Sequence, residues 1–419
     1  MALASTPDRA EAYRLALVLV GLPARGKTHM ARRLRRYLSW LGYRTEVFNV
    51  GNVRRRQVGP RKLHGFFDPG NEAGQAARQA AARATLDEML AFFAEGGEVG
   101  VYDATNSTRE RRAWVAARLR AHGLAVVFVE SVCEDESVIE SNIRQTKLHS
   151  PDYAGMDPEE AVRDFRQRIA HYVRAYEPVG EEEGSFIRLI DLGRRVELHR
   201  IQGYLPSRLV AFLMNLHVVP RSLFLTRHGE SRFNVEDRIG GDPGLSEAGE
   251  AFAHQLAEQV RQRGLPEQGL RVWTSTLRRT KDTAEPLGIP TTEWRALDEI
   301  DAGTFDGLRF AEVRERHPRE YRARRERKLT YRYPRGESYM DVIRRLEPVI
   351  LELERERRPV LVIAHQAVLR ALYAYLMDRP RHEVPYLPIP LHCLIRLTPT
   401  TYACDEERLR LPPDLGRPT

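Results

Sequence analysis

A chain of 419 residues is too long for one ordinary core and suits two or three domains; with 42% hydrophobic and 30% charged residues and no repeat, it excludes disorder, collagen and solenoids and points to a soluble globular protein. Its apolar runs are too short to span a bilayer, its N-terminus lacks a secretory pattern, and its three cysteines are too scattered for a disulfide framework or an all-cysteine zinc site, so reduced thiols and a cytoplasmic location are expected. The net charge of +8 favours an anionic partner, and of 66 basic residues only Lys27, Lys62, Lys147, Lys281 and Lys328 are lysines, which makes each retained ammonium informative.

In chain order, Leu15 to Val20 reads as a strand, Gly21 as a turn, Lys27 onward as a helix closed by Gly42, and Val47 to Val50 as a second strand. Strands at Glu98 to Tyr102 and Ala125 to Val129 flank a helix at Thr108 to Ala121, and Asp157 to Tyr176 reads as helical. Strand-like runs follow at Phe186 to Asp191 and Val196 to Ile201, with Glu181 to Gly184 a surface loop between them and the helix. A helical segment at Arg208 to His217 leads to Pro220, where a new series begins, so domains are expected at 1–218 and 219–419. The second series has strands at Ser222 to Thr226, Leu270 to Trp273 and Val360 to Ala364, and helices at Ser246 to Arg263, Leu277 to Leu287 and Tyr339 to Arg357. The Arg- and Tyr-rich stretch from Phe310 to Arg335 is a substrate loop or a solvated helix. Both halves alternate strand and helix, which implies two α/β domains with mainly parallel sheets.

Two constellations carry chemistry. Gly21-Leu22-Pro23-Ala24-Arg25-Gly26-Lys27-Thr28 has the phosphate-loop spacing between a strand and a helix, as a nucleotide cradle requires. Its backbone can wrap phosphates, Lys27 can reach the terminal phosphates of ATP, and Thr28 can ligate Mg²⁺. Asp103 ends the next strand, where a carboxylate holds the metal or polarises an acceptor hydroxyl; the alternative is a helix cap. Lys147 closes the run Asn142 to Lys147 and suits transferring phosphate if that run folds over the loop. In the second half, Arg227-His228-Gly229-Glu230 ends a strand, Arg279 opens a helix, and His365 ends another strand. An imidazole at a strand terminus can attack phosphorus while guanidinium groups neutralise the equatorial oxygens, and Glu299 can protonate the leaving alkoxide.

With these motifs assembled, the chain resembles the bifunctional 6-phosphofructo-2-kinase/fructose-2,6-bisphosphatase family from Leu19 to about Cys404. The likeness also rests on Phe48-Asn49-Val50-Gly51, Asp103-Ala104-Thr105-Asn106, Ser150-Pro151-Asp152-Tyr153, Arg238-Ile239-Gly240-Gly241-Asp242, Gly336-Glu337-Ser338-Tyr339 and His365-Gln366-Ala367-Val368. It implies a P-loop kinase domain followed by a phosphoglycerate-mutase-like histidine phosphatase. It also implies synthesis of fructose 2,6-bisphosphate from fructose 6-phosphate and Mg-ATP, hydrolysis through a phosphohistidine, control of glycolysis and gluconeogenesis, and a homodimer.

Carried over by position, the resemblance puts Gly21, Gly26, Lys27, Thr28, Asn142 and Lys147 on ATP, with Thr28 and Asp103 at the metal and Asp103 and Lys147 at the reacting groups. Arg54, Arg78, Thr105, Arg111, Arg168 and Tyr172 match the fructose 6-phosphate positions, and Cys133 matches a cysteine near the kinase site that reads equally well as a buried thiol. His228 matches the nucleophile and Glu299 the proton donor, with Arg227, Asn234, Arg279 and His365 as the phosphate clamp. Gly240 falls in a quoted motif beside the substrate, and Arg324, Lys328, Tyr339, Gln366 and Arg370 match the sugar-phosphate pocket. The chain departs from the family at Phe310, where a tyrosine is usual, at Ala364 for cysteine, and at Asn52-Val53 for Gln-Tyr. Two rival readings of the basic charge, a nucleic-acid end-processing kinase–phosphatase and an ATP-bound nucleic-acid-binding module, are disfavoured: no aromatic-basic alternation of an RNA-binding sheet is present, and neither a nucleic-acid nor a membrane partner is expected.

Overall fold

The apolar runs that open each half become inner strands of two six-stranded sheets. The structure, a computed structural model, describes residues 14–144, 150–191, 193–217, 221–400 and 403–412. The chain forms two compact units, Met1–Leu216 and His217–Thr419.

In the first unit β1 (Leu15–Val20) leads through a glycine turn to α1 (Lys27–Leu41). Then come β2 (Thr45–Asn49), α2 (Val50–Val58), α3 (Glu72–Ala94), β3 (Val99–Asp103), α4 (Arg109–Arg120) and β4 (Ala125–Val132). The unit ends with α5 (Glu136–Asn142), α6 (Pro158–Arg174), β5 (Phe186–Ile190), β6 (Arg195–His199) and α7 (Tyr204–Asn215). The sheet order is β2-β3-β1-β4-β5-β6, parallel except for β6. Every residue of β1 is buried, as an inner strand covered on both faces demands. Because β1 lies between β3 and β4, its carboxyl end is where successive connections diverge and where a ligand finds a crevice.

In the second unit come β7 (Leu223–Arg227), α8 (Arg232–Val235), α9 (Glu247–Gln262), β8 (Arg271–Thr274), α10 (Arg278–Ala284) and β9 (Thr291–Glu293). They are followed by α11 (Phe310–Arg316), α12 (Pro318–Glu326), α13 (Tyr339–Arg345), α14 (Glu347–Arg355), β10 (Val360–Ala364), α15 (Gln366–Leu376), β11 (Cys393–Pro399) and β12 (Cys404–Arg410). The order β12-β11-β7-β10-β8-β9 sets β7, β10, β8 and β9 parallel, with β11 and β12 antiparallel at one edge. Among the described residues no helix is long and apolar enough to cross a membrane.

Several expectations need correction. Val50 begins α2 instead of ending a strand, because Asn49 caps it through its side-chain oxygen. The helix expected over Tyr339 to Arg357 is two helices, the second opening with Pro348 in its first turn. The helix from Leu277 tightens into a 3₁₀ turn over Glu285–Leu287, which contains Pro286. Phe310 to Arg335, by contrast, matches both of its readings: it holds two short helices, the second without a buried residue, followed by a turn, and Phe310, Arg324 and Lys328 line a cavity. The acidic stretch Glu181–Glu183 is no freely solvated loop. Glu183 takes two hydrogen bonds, 2.6 and 2.7 Å, from the wholly buried Arg112, which also donates to the carbonyls of Asn106, Glu177 and Pro178.

That pair locks α4 to the end of the α6 connection. Burial works to raise the Glu183 carboxyl, but Arg112 and the Gly180 N–H outweigh it and hold the group below its ordinary value. A depressed folded value means that the stabilisation is complete above the unfolded pKa and is lost as pH falls through the folded one. Arg112→Met should cost about 3 to 5 kcal/mol at neutral pH by leaving Glu183 buried and unpaired. In urea melts the gap from wild type should narrow as pH drops and Glu183 takes a proton.

Candidate active sites in the two units

The first site forms where β1 meets α1. Gly21 has φ +135°, and a Cβ there would stand 2.4 Å from the Ser131 carbonyl, so only glycine lets the turn pass this close to β4. Gly26 caps α1 at φ 76°. Lys27 is buried, its Nζ donating to the Leu22 carbonyl at 2.5 Å, and Thr28 Oγ1 donates to Asp103 Oδ2 at 2.9 Å. Asn49 Nδ2 donates to the same carboxylate oxygen at 2.5 Å, a contact set by the β2–β3 register that pairs these two residues. The helix that follows is capped by Thr108, so the alternative reading of Asp103 as a cap is overturned. Asn142 Nδ2 donates to the Ala24 carbonyl at 3.0 Å, and the Thr105 carbonyl accepts from Gly21 N at 2.9 Å, which places both positions against the turn. Lys147 lies outside the described residues. Cys133 is buried, and burial pushes its thiol upward, as a structural cysteine would behave.

Beside this turn lies a cationic cluster. Arg54, Arg78 and Arg168 all lie over the Phe67 ring, at 5.5, 5.9 and 3.6 Å from its centre, and Tyr172 adjoins the same ring at 6.1 Å. Arg111 stands over Trp114 at 4.8 Å and donates to Gln79. Asp152, only 2% exposed at its side chain, accepts from Arg54 at 2.5 Å and Arg55 at 3.3 Å and faces Arg168 at 3.9 Å. The sequence assigns no role to Asp152 within Ser150–Tyr153 or to Asn49 within Phe48–Gly51; no local spacing announces a carboxylate that neutralises arginines from α2 and α6.

The second site forms at three adjacent strand ends. Parallel β7, β10 and β8 finish just before His228, His365 and Ser275 respectively. His228 Nδ1 lies 2.7 Å from the Gly229 carbonyl, which can only accept, so the proton is on Nδ1 and the Nε2 lone pair is free to accept from Arg279 Nε at 3.1 Å. Burial, then Arg279 and Arg227, hold His228 well below the usual imidazole value, which keeps that lone pair unprotonated at neutral pH. His365 is fully buried with its ring centre 5.1 Å from that of His228. Glu299 accepts from the N–H of Ile300 at 2.9 Å and of Ala367, in the first turn of α15, at 3.2 Å.

His228, Arg279 and Glu299 line a cavity of about 260 Å³, and His365 lies behind its wall beside His228. Arg227, Asn234, Gly240, Arg279, Gln366 and Arg370 line it, with Arg324, Lys328, Tyr339 and Phe310 on a further part of its wall. Burial foremost pushes Arg227 down to about 10 and, with Arg370 and Arg324, Lys328 down to about 8. Lys328 Nζ donates to the Pro385 carbonyl at 3.0 Å, Arg370 to that of Leu387 at 2.7 Å and to Tyr339 at 3.1 Å. Tyr331, Tyr333 and Arg238 also line the cavity, and the sequence assigns none of them a role.

Two family models divide the chain at the same place: 6-phosphofructo-2-kinase over residues 4–220 and histidine phosphatase superfamily, branch 1, over 223–411. A 6-phosphofructo-2-kinase/fructose-2,6-bisphosphatase of Arabidopsis thaliana is 50% identical over 407 residues, 96% of this chain and 54% of the plant protein. The Gallus gallus enzyme of the same name is 49% identical over 94% of this chain and 84% of its own length. The chain belongs to the 6-phosphofructo-2-kinase/fructose-2,6-bisphosphatase family. It is a bifunctional enzyme, with a kinase domain and a histidine phosphatase domain in one polypeptide. It spans about half the length of the plant relative and most of the chicken one.

Removing the shared countercharge by Asp152→Ala leaves Arg54 buried and unpaired, and should lower the stability of the kinase domain by about 3 to 5 kcal/mol. Inorganic phosphate should raise the melting temperature of the variant more than that of wild type, because a bound anion replaces the lost carboxylate.

Proposed function

We propose that the chain makes fructose 2,6-bisphosphate from fructose 6-phosphate and ATP in its first domain and hydrolyses it to fructose 6-phosphate and phosphate in its second. The observation that carries this is one chain holding a phosphate-loop turn beside a three-arginine aromatic platform and, separately, an unprotonated imidazole flanked by two buried arginines. On this reading the enzyme acts in the cytoplasm as a homodimer and sets the level of a sugar bisphosphate that governs glycolysis and gluconeogenesis.

In the kinase the Gly21–Thr28 turn binds the ATP phosphates and Lys27 neutralises charge on the terminal ones, with Asn142 bracing the turn and Lys147 meeting the transferred group. Thr28 and Asp103 form an all-oxygen pair that suits Mg²⁺, and they would hold it. The metal, when bound, would supply charge neutralisation for the phosphates during transfer. Arg54, Arg78, Arg111 and Arg168, with Thr105 and Tyr172, hold the sugar phosphate so that its 2-hydroxyl faces the γ-phosphorus; positioning and electrostatics carry the step.

In the phosphatase, His228 Nε2 attacks the 2-phosphorus, the bond from phosphorus to the sugar oxygen breaks, and Glu299 gives its proton to the departing alkoxide. Water then attacks the phosphohistidine, returning a proton to Glu299 and freeing His228. Arg227, Arg279, Asn234 and His365 clamp the phosphoryl oxygens throughout. Arg324, Lys328, Tyr339, Gln366 and Arg370 bind the remainder of the sugar phosphate, with Gly240 at the rim.

Lys27→Ala should abolish synthesis and spare hydrolysis, and His228→Ala should do the reverse. Brief incubation with substrate labelled at the 2-phosphate should leave acid-labile label on His228; loss of both activities from either change in a folded protein would sink the two-site scheme. Because Lys328 sits near 8 in the free enzyme, kcat/KM for hydrolysis should fall as pH rises past about 8, and Lys328→Met should flatten that limb.

A further inference from the structure

The mechanism assigns His365 one task, donation to a phosphoryl oxygen, and a neutral imidazole can perform it only if the proton is on the correct nitrogen. His365 Nε2 lies 2.8 Å from Ser275 Oγ, while its buried Nδ1 has no hydrogen-bond partner among the described residues. His228 stands beside the ring, and the charged groups that act on it most are Arg279, Arg227 and Arg345, so protonating both nitrogens adds a charge where charges of the same sign already stand. His365 therefore has to serve as a neutral donor through Nδ1–H, which leaves Nε2 as a bare lone pair that needs a donor of its own.

Ser275 is the group placed to supply it. Its hydroxyl is fully buried, lies 2.8 Å from Thr280 Oγ1, and accepts from the Leu277 N–H at 3.2 Å. Two proton arrangements satisfy this trio. In one, Thr280 donates to Ser275 and Ser275 donates to His365 Nε2, leaving the imidazole proton on Nδ1. In the other, His365 Nε2–H donates to Ser275, Ser275 donates to Thr280, and Thr280 donates to the Leu277 carbonyl at 2.8 Å, leaving Nδ1 bare. An ionised phosphoryl oxygen against Nδ1 accepts only, so it repels the second arrangement and selects the first.

We infer that Ser275, backed by Thr280, is a positioning residue that sets the tautomer of His365, so that the neutral imidazole donates Nδ1–H to the phosphoryl group during hydrolysis. The inference rests on the phosphohistidine reading of the second domain and assigns a task to a serine outside the cavity wall. Its placement follows from topology: β8 neighbours β10, so the residue after β8 lies beside the residue after β10.

Nitrogen-15 spectra of histidine-labelled full-length enzyme with saturating orthophosphate should show His365 protonated on Nδ1 and unprotonated on Nε2. In Ser275→Ala the same spectrum should move toward a mixture of tautomers, and kcat for hydrolysis should fall on the order of tenfold with KM little changed. Ser275→Cys, which keeps a weak donor, should recover part of the loss, and the dispersion of the amide spectrum of the phosphatase domain in the same samples reports its folding. Wild-type kcat in a folded Ser275→Ala protein, or an Nε2-protonated His365 with orthophosphate bound, would overturn the inference. The spectrum of the wild type decides it even if the alanine variant does not fold. Absence of label on His228 would instead remove the underlying mechanism, so the two failures are distinguishable.

Discussion

Everything at both sites depends on holding guanidinium groups where water barely reaches them. A buried cation without a counter-ion is costly, and the two domains meet that cost differently. In the kinase, Asp152 lies among Arg54, Arg55 and Arg168, and aromatic faces of Phe66 and Phe67 cover the guanidinium planes. In the phosphatase, Arg227 makes only a 3.5 Å contact with the Ile389 carbonyl, and Arg279 gives one bond to His228 and another to the Gly241 carbonyl. Among the described residues Arg227 has no ion pair, and Arg279 meets the half-exposed Asp242 at 4.0 Å, so neither has a buried carboxylate of the Asp152 kind. The resting phosphatase pocket is thus short of close negative charge, and a phosphoryl group supplies it with no tighter salt bridge to displace than the 4.0 Å Arg279–Asp242 contact.

The same positive field sets the chemistry of the nucleophile. A histidine at its ordinary value is partly protonated at neutral pH, and that fraction cannot attack; burial with Arg279 and Arg227 removes that proton without a general base. The Gly229 carbonyl then decides which nitrogen is left bare. Anion binding and nucleophile activation are therefore one arrangement, and weakening an arginine should disturb both.

The sequence made much of this legible because the chemistry sits at strand ends flanked by glycine. Leu15 to Val20 and Val360 to Ala364 were readable to the residue, since fully buried inner strands are unbroken apolar runs. The predicted Arg54, Arg78, Arg168 and Tyr172 do meet on one ring, although they come from α2, α3 and α6, and only the resemblance could have grouped them. What was not legible shares a physical cause. The 23 residues of α3 carry many alanines with only a weak apolar stripe, so periodicity does not announce the helix. β12 alternates too little, with exposed Asp405, Glu406 and Glu407, to read as a strand. Asp152, Asn49 and Ser275 act through contacts between distant segments, and no spacing along the chain encodes those.

Phe310 is where resemblance and geometry part. Against the tyrosine usual in the family, it lacks a hydroxyl, and a hydrogen bond to a charged phosphate is worth roughly 1.5 to 3 kcal/mol. The ring, however, lies under the Arg324 guanidinium at 4.7 Å, and the same guanidinium donates to the Tyr333 hydroxyl at 2.7 Å. A cation over an aromatic face contributes about 0.5 to 2 kcal/mol as it is desolvated, and phenylalanine offers that face without a hydroxyl that would itself require a partner in the free enzyme. Arg324 is thus held from two sides before substrate arrives, so part of what the missing bond would contribute to binding is recovered as a cation that needs no reordering.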